Sequence, residues 1–345
     1  MAGLCPMVHP SPRLAFSDTV FMRSDLGGFL RRTLRKSEQQ DAVAAVRELR
    51  CRGYPIAGFE WVDRTDALQI LRTRMPEDAH PVSIHGPIFP TLRSLETSLA
   101  DAPSLWLIQE MLGEFAISGT FHGRAGLANP LRHIHRLEEI ANFYSADDQR
   151  VPITLHPYCI NVLGRQGLFP RPAGSPRWAI EPDFPRPNQR RARALITDLS
   201  RVMELAHTFG CSINFDTSHL RLSGHDLINS WERIYDSKLR VEVMHLVGSG
   251  SSLKEGKMRG GMELSGHVLS PRDLREHAEF LRFVESQGWN GLVVIELSAT
   301  QMSGSTTERL DALLRTLDFY MGDYDAFLSP PSFSFPNSPS VVQCS

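Results

Sequence analysis

The stretch CSINFDTSHL, from Cys211 to Leu220, decides the fold. It is a short apolar run that ends in Asp216, followed three residues later by His219. Such a run is typical of a strand buried on both faces, as in a parallel sheet. The polar end has two interpretations, because Asp216 either caps a following helix or is delivered, with His219, to a functional site. The rest of the chain is needed to choose between them.

Short apolar runs of this kind recur along the chain, and helical sequence follows most of them. The seven others are RLAFSDTVFM (13–22), IAGFEWV (56–62), PVSIHGPIF (81–89), VPITLHPY (151–158), RWAIEPD (177–183), RVEVMHL (240–246) and GLVVIEL (291–297). Eight strands that lead into helices predict an α/β protein, a (β/α)8 TIM barrel with long insertions at its C-terminal face. An open doubly wound sheet is the alternative, but no glycine-rich fingerprint follows the first strand.

Capping signals place several of the helices between these strands. Ser37 is the predicted N-cap of a helix over 37–54, Gly210 closes a helix over 190–210, and Pro271 opens a helix after Ser270. The predicted organisation is an N-terminal extension over 1–12, a single barrel domain over 13–325 and a Pro/Ser-rich flexible tail over 326–345. The stretches 86–150 and 158–177 are its long insertions, and the second is expected to overhang the C-terminal face.

The composition limits the classes of function. A formal net charge of −2 gives no global attraction for nucleic acid or for an anionic membrane, and no run approaches the roughly 20 apolar residues of a membrane span. The five cysteines form no CxxC pair and no framework spacing, which is typical of a reducing cytosol. The chain begins without a signal-peptide pattern. We expect a cytoplasmic protein that acts on a small-molecule substrate, and homo-oligomerisation stays open.

Ionisable side chains lie at the C-terminal ends of the predicted strands, from the third to the eighth. They are His85, His156, Glu181, Asp216, His219, His245 and Glu296. One such histidine alone is more often a core residue, but a barrel brings all these strand ends to the face where active sites form. Burying the whole set is costly unless a cation compensates. Carboxylate and imidazole ligands suit Zn²⁺, Mn²⁺, Fe²⁺ or Co²⁺, and His267, after the seventh strand, is predicted to be an outer member of the set.

The order of these residues resembles the xylose-isomerase-like barrel superfamily over roughly residues 13–320. The resemblance is carried by the motifs SIHGP, TLHPY, AIEPD, FDTSH, VMHL and VIEL. Its isomerase branch, which acts on sugars and sugar phosphates, implies a divalent metal held by Glu181, Asp216, His245 and Glu296. In this branch Glu181 and Glu296 would remove and return a proton next to a carbonyl, and His219 would contact the substrate.

The same superfamily offers other activities. The endonuclease-IV type of AP endonuclease (family 2) implies a three-metal phosphodiesterase that also uses His85 and His156. It places an Asp-x-His pair after the seventh strand, where this chain has Ser265-Gly266-His267, and DNA binding favours a more basic surface. The long insertions leave a third possibility, a lyase or oxidative metalloenzyme of specialised metabolism. A barrel that has lost catalysis is a fourth, against which the complete ligand set argues.

Three further residues are expected to bind substrate. Glu60 ends the second strand, where the isomerase branch commonly has a glutamate, and Lys254 is among the cations that follow the seventh strand. Trp178 lies near Glu181 and is predicted to line an apolar pocket, with packing in the barrel wall as an equal alternative.

Overall fold

The computed structural model describes residues 13–18, 28–62, 79–86, 130–145, 150–157, 160, 177–183, 198–247, 271–297 and 306–320. The strands in this part are β1 (Arg13–Ser17), β2 (Ile56–Val62), β3 (Pro81–His85), β4 (Ile153–Leu155), β5 (Trp178–Ile180), β6 (Ser212–Asp216), β7 (Val241–Leu246) and β8 (Leu292–Ile295). The helices are α1 (Gly28–Cys51), α2 (Pro130–Tyr144), α3 (Leu199–Phe209), α4 (Thr217–Leu222), α5 (Leu227–Asp236), α6 (Pro271–Ser286) and α7 (Thr306–Tyr320).

The eight strands form one closed barrel in chain order, and every neighbouring pair is parallel. The first and last strands close it, with Phe16 of β1 paired to Ile295 of β8. The predicted (β/α)8 TIM barrel is therefore confirmed. Because the strands are parallel, all their carboxyl ends emerge at one face of the barrel.

The main hydrophobic core lies between the barrel and its helices. Phe215 of β6 stacks on Phe280 of α6 with 5.0 Å between ring centroids. Trp231 of α5 packs edge-on against both rings, at 5.8 and 6.0 Å. Edge-to-face and offset pairs of this kind add stability beyond their buried area. This aromatic cluster holds α5 and α6 against β6, the strand that carries Asp216.

The helix predictions agree with the structure in part. Helix α3 ends at the predicted Gly210, whose φ of 66° is the left-handed conformation that glycine adopts without strain, and α6 begins at the predicted Pro271. Helix α3 begins only at Leu199, because Asp198 has an extended backbone and caps it, so the predicted continuous helix over 190–210 is wrong at Asp198. The predicted N-cap Ser37 instead lies within α1, which already begins at Gly28. The preceding residues are rich in Leu, Arg and Lys, which are good helix formers, so the helix extends past the apparent start signal.

The described cysteines differ in their bonding. Cys51, at the end of α1, is disulfide-bonded, whereas Cys211 is a buried free thiol. Every pair of cysteines in this chain is far apart in sequence, and one bridge between distant residues leaves no spacing motif. In the described part of the chain, none of the helices has the length and apolar character to cross a membrane.

Gly58 on β2 lies where a side chain has no room. A Cβ atom there would approach both the carbonyl oxygen of His80 and Cγ1 of Val82 to 2.7 Å. We expect Gly58→Ala to destabilise the protein by about 1–3 kcal/mol, because β2 and β3 would have to separate. Urea denaturation measures this change. Gly53→Ala is the control for the steric effect, since Gly53 has open space and only a positive φ of 90°, a conformation that costs a residue with a Cβ atom about 1–2 kcal/mol. A Gly58→Ala variant as stable as the parent would contradict the prediction.

Candidate metal centre

The seven ionisable residues predicted at the strand ends lie together at the carboxyl face of the barrel. Six are buried, and the side chain of Glu296 is 23% exposed. Glu296 therefore gives the cluster contact with solvent, while the other side chains form its floor. His267, predicted as an outer member, and Lys254, predicted to bind substrate, lie outside the described residues.

Glu181, directly after β5, is the centre of the cluster. Its Oε2 atom lies 2.9 Å from Nε2 of His85 and 3.4 Å from Nδ1 of His245. Its Oε1 atom lies 3.0 Å from Nδ1 of His219. One buried carboxylate thus faces three imidazoles that come from β3, β7 and α4.

His245, on β7, gathers the remaining carboxylates. Its Nδ1 atom lies 3.4 Å from Glu296 Oε2 and 3.7 Å from Asp216 Oδ2, in addition to Glu181. Its Nε2 atom points to another acid, Glu60, whose Oε2 is 3.0 Å away. The two ring nitrogens therefore face different carboxylates.

Asp216 caps the following helix and also faces the ionisable cluster. Its Oδ1 atom accepts a hydrogen bond of 2.6 Å from the backbone N–H of His219 and so caps α4. Its Oδ2 atom is buried without a hydrogen-bond partner and lies on the His245 side. Because a buried carboxylate oxygen without a partner is costly, Oδ2 is suited to receive a cation.

Two overlapping groups of side chains have the geometry of a metal site. His85, His156 and Glu181 form one, and Glu181, Asp216 and His245 form the other; within each group the donor atoms lie within 4.8 Å of one another. Donors bound to one ion at about 2.0–2.2 Å lie close together in this way. The mixed nitrogen and oxygen donors fit Zn²⁺, Mn²⁺, Fe²⁺ or Co²⁺, so the residues present fit the metal that the strand-end pattern predicts.

Burial and the neighbouring charges shift the pKa values of the ionisable residues in the cluster. Burial lowers the pKa of His85, but the charges of Glu181 and Glu60 outweigh it and raise that pKa to about 9. The pKa of His245 is raised well above its ordinary value, against the effect of burial, by Glu60 and Glu181. Burial acts to raise the pKa of Glu181, yet His85 and His245 hold it well below the usual range. Burial raises the pKa of Glu296 to about 7. Without an ion, protons on the imidazoles therefore balance the carboxylates.

His156 behaves differently, because burial lowers its pKa to about 4. Between pH 6.5 and 4 the unfolded chain binds a proton at this residue that the folded chain does not, so stability falls as the pH falls through this window. We expect His156→Gln to flatten the acid limb of the stability curve of the metal-free protein by a few kcal/mol. Urea denaturation at pH 4.5, 5.5 and 6.5 measures this, and an unchanged acid limb in the variant would contradict it.

Three polar residues of the site were not predicted from the sequence. Asn214 on β6 donates to Glu181 Oε2 at 3.0 Å and lies 3.3 Å from the hydroxyl of Thr154. Ser83 on β3 donates to Glu60 at 2.9 Å. Each lies two residues before a predicted strand-end residue, and alternate residues of a strand share a face. This alternation could therefore have identified them from the sequence as residues that face the site.

The expected substrate-binding residues lie in different places. Trp178 on β5 is 4% exposed and belongs to the hydrophobic core, which supports packing in the barrel wall. Glu60 on β2 is fully buried between Ser83 and His245. Their roles toward a substrate stay predictions.

No family model and no curated protein matches the chain. Solved structures that resemble it include an AP endonuclease of family 2 from Brucella melitensis (13% identity, 87% of this chain and 96% of that chain, TM-score 0.44). They also include a xylose isomerase domain containing protein from Salmonella typhimurium (12%, 91% and 99%, TM-score 0.47). A third is a probable 3-DHS dehydratase from Bacillus anthracis (12%, 88% and 98%, TM-score 0.45).

At these identities and TM-scores the likeness concerns the barrel alone and says nothing about activity. The fold itself follows from the strand pairing of this chain. The protein is a (β/α)8 barrel, closed by the parallel pairing of its first and last strands.

Proposed function

We propose that the protein is a divalent-metal-dependent enzyme that moves a proton next to a carbonyl, as in the isomerisation or epimerisation of a sugar or sugar phosphate. The observation that carries this proposal is the arrangement around His245 Nδ1. The carboxylates of Glu181 and Glu296 each lie 3.4 Å from this atom, and that of Asp216 lies 3.7 Å from it. The substrate is a polyhydroxylated or related small molecule, and the cytoplasm is the expected place of action.

The ion would be held by four residues from four strand ends: Glu181, Asp216, His245 and Glu296. When bound there, a divalent cation would polarise a carbonyl oxygen and acidify the neighbouring C–H bond. Three of these side chains are buried in the barrel mouth. The site is therefore built on rigid strands, which hold catalytic groups in place better than loops do.

The proton itself would be moved by two carboxylates from strands β5 and β8. Glu296 is partly exposed and so reaches a substrate that enters from solvent. Glu181 is buried, and His85 and His219 fix its two oxygens from either side. One carboxylate would take the proton from carbon and the other would return a proton to the same or the adjacent carbon. His219 lies beside Glu181, as the substrate contact implied by the resemblance requires.

A metal-dependent phosphodiesterase is the second candidate, because one observation favours it. His85, His156 and Glu181 form a further donor group that shares Glu181 with the first. Two ions bridged by one carboxylate would suit the clamping of attacking and leaving oxygens in phosphoryl transfer. This candidate differs from the first in its metal count, which makes the two distinguishable.

Metal analysis and isotope exchange test these proposals. The purified protein, loaded with Mn²⁺, Zn²⁺, Fe²⁺ or Co²⁺, is expected to bind one ion per chain and to exchange deuterium from D₂O into a sugar, sugar phosphate or inosose. Glu296→Gln should abolish the exchange, whereas Glu242→Gln should not, because Glu242 lies on β7 and pairs with Arg177 outside the cluster. Two or three ions per chain with cleavage of abasic DNA would favour the second candidate. A protein that binds no ion would refute both.

A further inference from the structure

Glu60 is a fully buried acid that the proposed chemistry does not use. It lies on β2, which in the order of the barrel is three strands from β5 and two strands from β8. Its Oε2 atom accepts a 2.9 Å hydrogen bond from the hydroxyl of Ser83 and lies 3.0 Å from Nε2 of His245. A buried carboxylate is costly unless it is paired, so this arrangement calls for an explanation.

The orientation of the His245 ring supplies one. Its Nδ1 atom faces the carboxylates of Glu181, Asp216 and Glu296, whereas Nε2 faces Glu60. The amide nitrogen of Asn214 lies 3.1 and 3.4 Å from the two ring nitrogens. Such nearly equal distances place the amide against the ring face, so Glu60 remains the acceptor along the Nε2–H direction.

We propose that Glu60 is a positioning residue that accepts the Nε2–H of His245 and thereby directs the Nδ1 lone pair at the metal. Imidazoles that bind metals usually donate their other N–H to a carboxylate or carbonyl, which fixes the tautomer and the ring orientation. This inference rests on the proposed metal site. It differs from the substrate-binding role implied by the resemblance, because Glu60 is fully buried and its Oε2 atom already contacts both Ser83 and His245.

Ser83 completes the arrangement. Its hydroxyl donates to the same Oε2 atom that receives the His245 N–H, and Ser83 is itself fully buried. The register of β2 and β3 pairs Glu60 with Ser83 directly. The serine therefore holds the carboxylate in line with the imidazole, and its removal should act in the same direction as a change of Glu60 but more weakly.

Metal affinity measured by competition with a chromophoric chelator tests the inference, with Zn²⁺ and Co²⁺ as probes. We expect Glu60→Leu to weaken binding by about 100-fold and Glu60→Gln by about 10-fold, because the glutamine oxygen still accepts the N–H. Ser83→Ala should weaken it a few-fold. Glu138→Gln is the matched control: Glu138 is a buried acid that contacts His135 on α2, outside the cluster, and its change should leave affinity unaltered.

The spectrum and the affinities together distinguish a positioning role of Glu60 from a role as a metal ligand. The Co²⁺ absorption spectrum of Glu60→Gln should keep its intensity, since no ligand is lost; a reduced donor count would make Glu60 a ligand and overturn the positioning role. Parent-like affinity in both Glu60 variants would also overturn it. Thermal unfolding of the metal-free variants identifies any that fail to fold, and Ser83→Ala then carries the test. If the parent protein binds neither ion, the proposed function fails and this inference falls with it.

Discussion

Glu181→Gln is expected to lower metal affinity by more than about 100-fold. The carboxylate of Glu181 belongs to both donor groups, and its two oxygens face three imidazoles. Loss of a direct ligand should exceed the 10- to 100-fold effect of removing an outer partner. Metal content after dialysis against excess Zn²⁺, together with chelator competition, measures the change.

The same substitution should also remove the charge that holds a proton on His85. The pKa of His85, raised to about 9 largely by Glu181, is expected to fall in the variant, and NMR titration of the metal-free protein reports it. Glu242→Gln again serves as control, because it removes a carboxylate at the opposite end of β7. A Glu181→Gln variant that binds metal as the parent does would place the metal elsewhere.

Metal affinity should rise steeply with pH, and this is the second large effect. In the metal-free protein, the pKa of His85 is raised to about 9 and that of His245 well above its ordinary value, so both imidazoles hold protons near neutrality. A cation must displace the proton of its ligand His245, and by binding Glu181 it offsets the charge that keeps a proton on His85. Apparent affinity should therefore increase about tenfold per pH unit for each proton displaced, until the pH exceeds the pKa of each group.

Chelator competition at pH 6, 7, 8 and 9 gives the slope, and a pH indicator in weak buffer counts the protons released. His85→Gln should lower the slope by about one proton, because one displaced proton is absent. Below pH 7 a further proton is expected from Glu296, whose pKa burial raises to about 7. Affinity that does not change between pH 6 and 9 would rule out a site built on protonated imidazoles.

Much of the barrel was predictable because its signals are local. Buried parallel strands are short apolar runs, and all eight predicted runs contain an observed strand. Polar residues that interrupt such runs at their ends, as Asp216 and His245 do, are conspicuous for the same reason. The wrong prediction of a helix start at Ser37 shows where local signals fail. A residue that often caps helices is tolerated within one when its neighbours on both sides favour helix.

The interior of the site was less predictable, since it depends on contacts across the barrel. Asn214 looks like an ordinary strand residue until its alternation with Asp216 places it on the inner face. The contact between Glu60 of β2 and His245 of β7 joins strands that are not neighbours in the barrel, and no local pattern reveals it. Glu60 was therefore expected to bind substrate, although it faces a histidine from a distant strand.

The closed barrel links metal binding to the stability of the protein and to its abundance in the cell. Donor atoms from β5, β6, β7 and the end of β8 meet because the parallel sheet curves into a closed barrel, so an ion bound among them would hold four strand ends together. Its binding energy would add directly to the unfolding free energy. The cellular abundance of the protein would then depend on the supply of its metal, because metal-free chains unfold more often and are degraded.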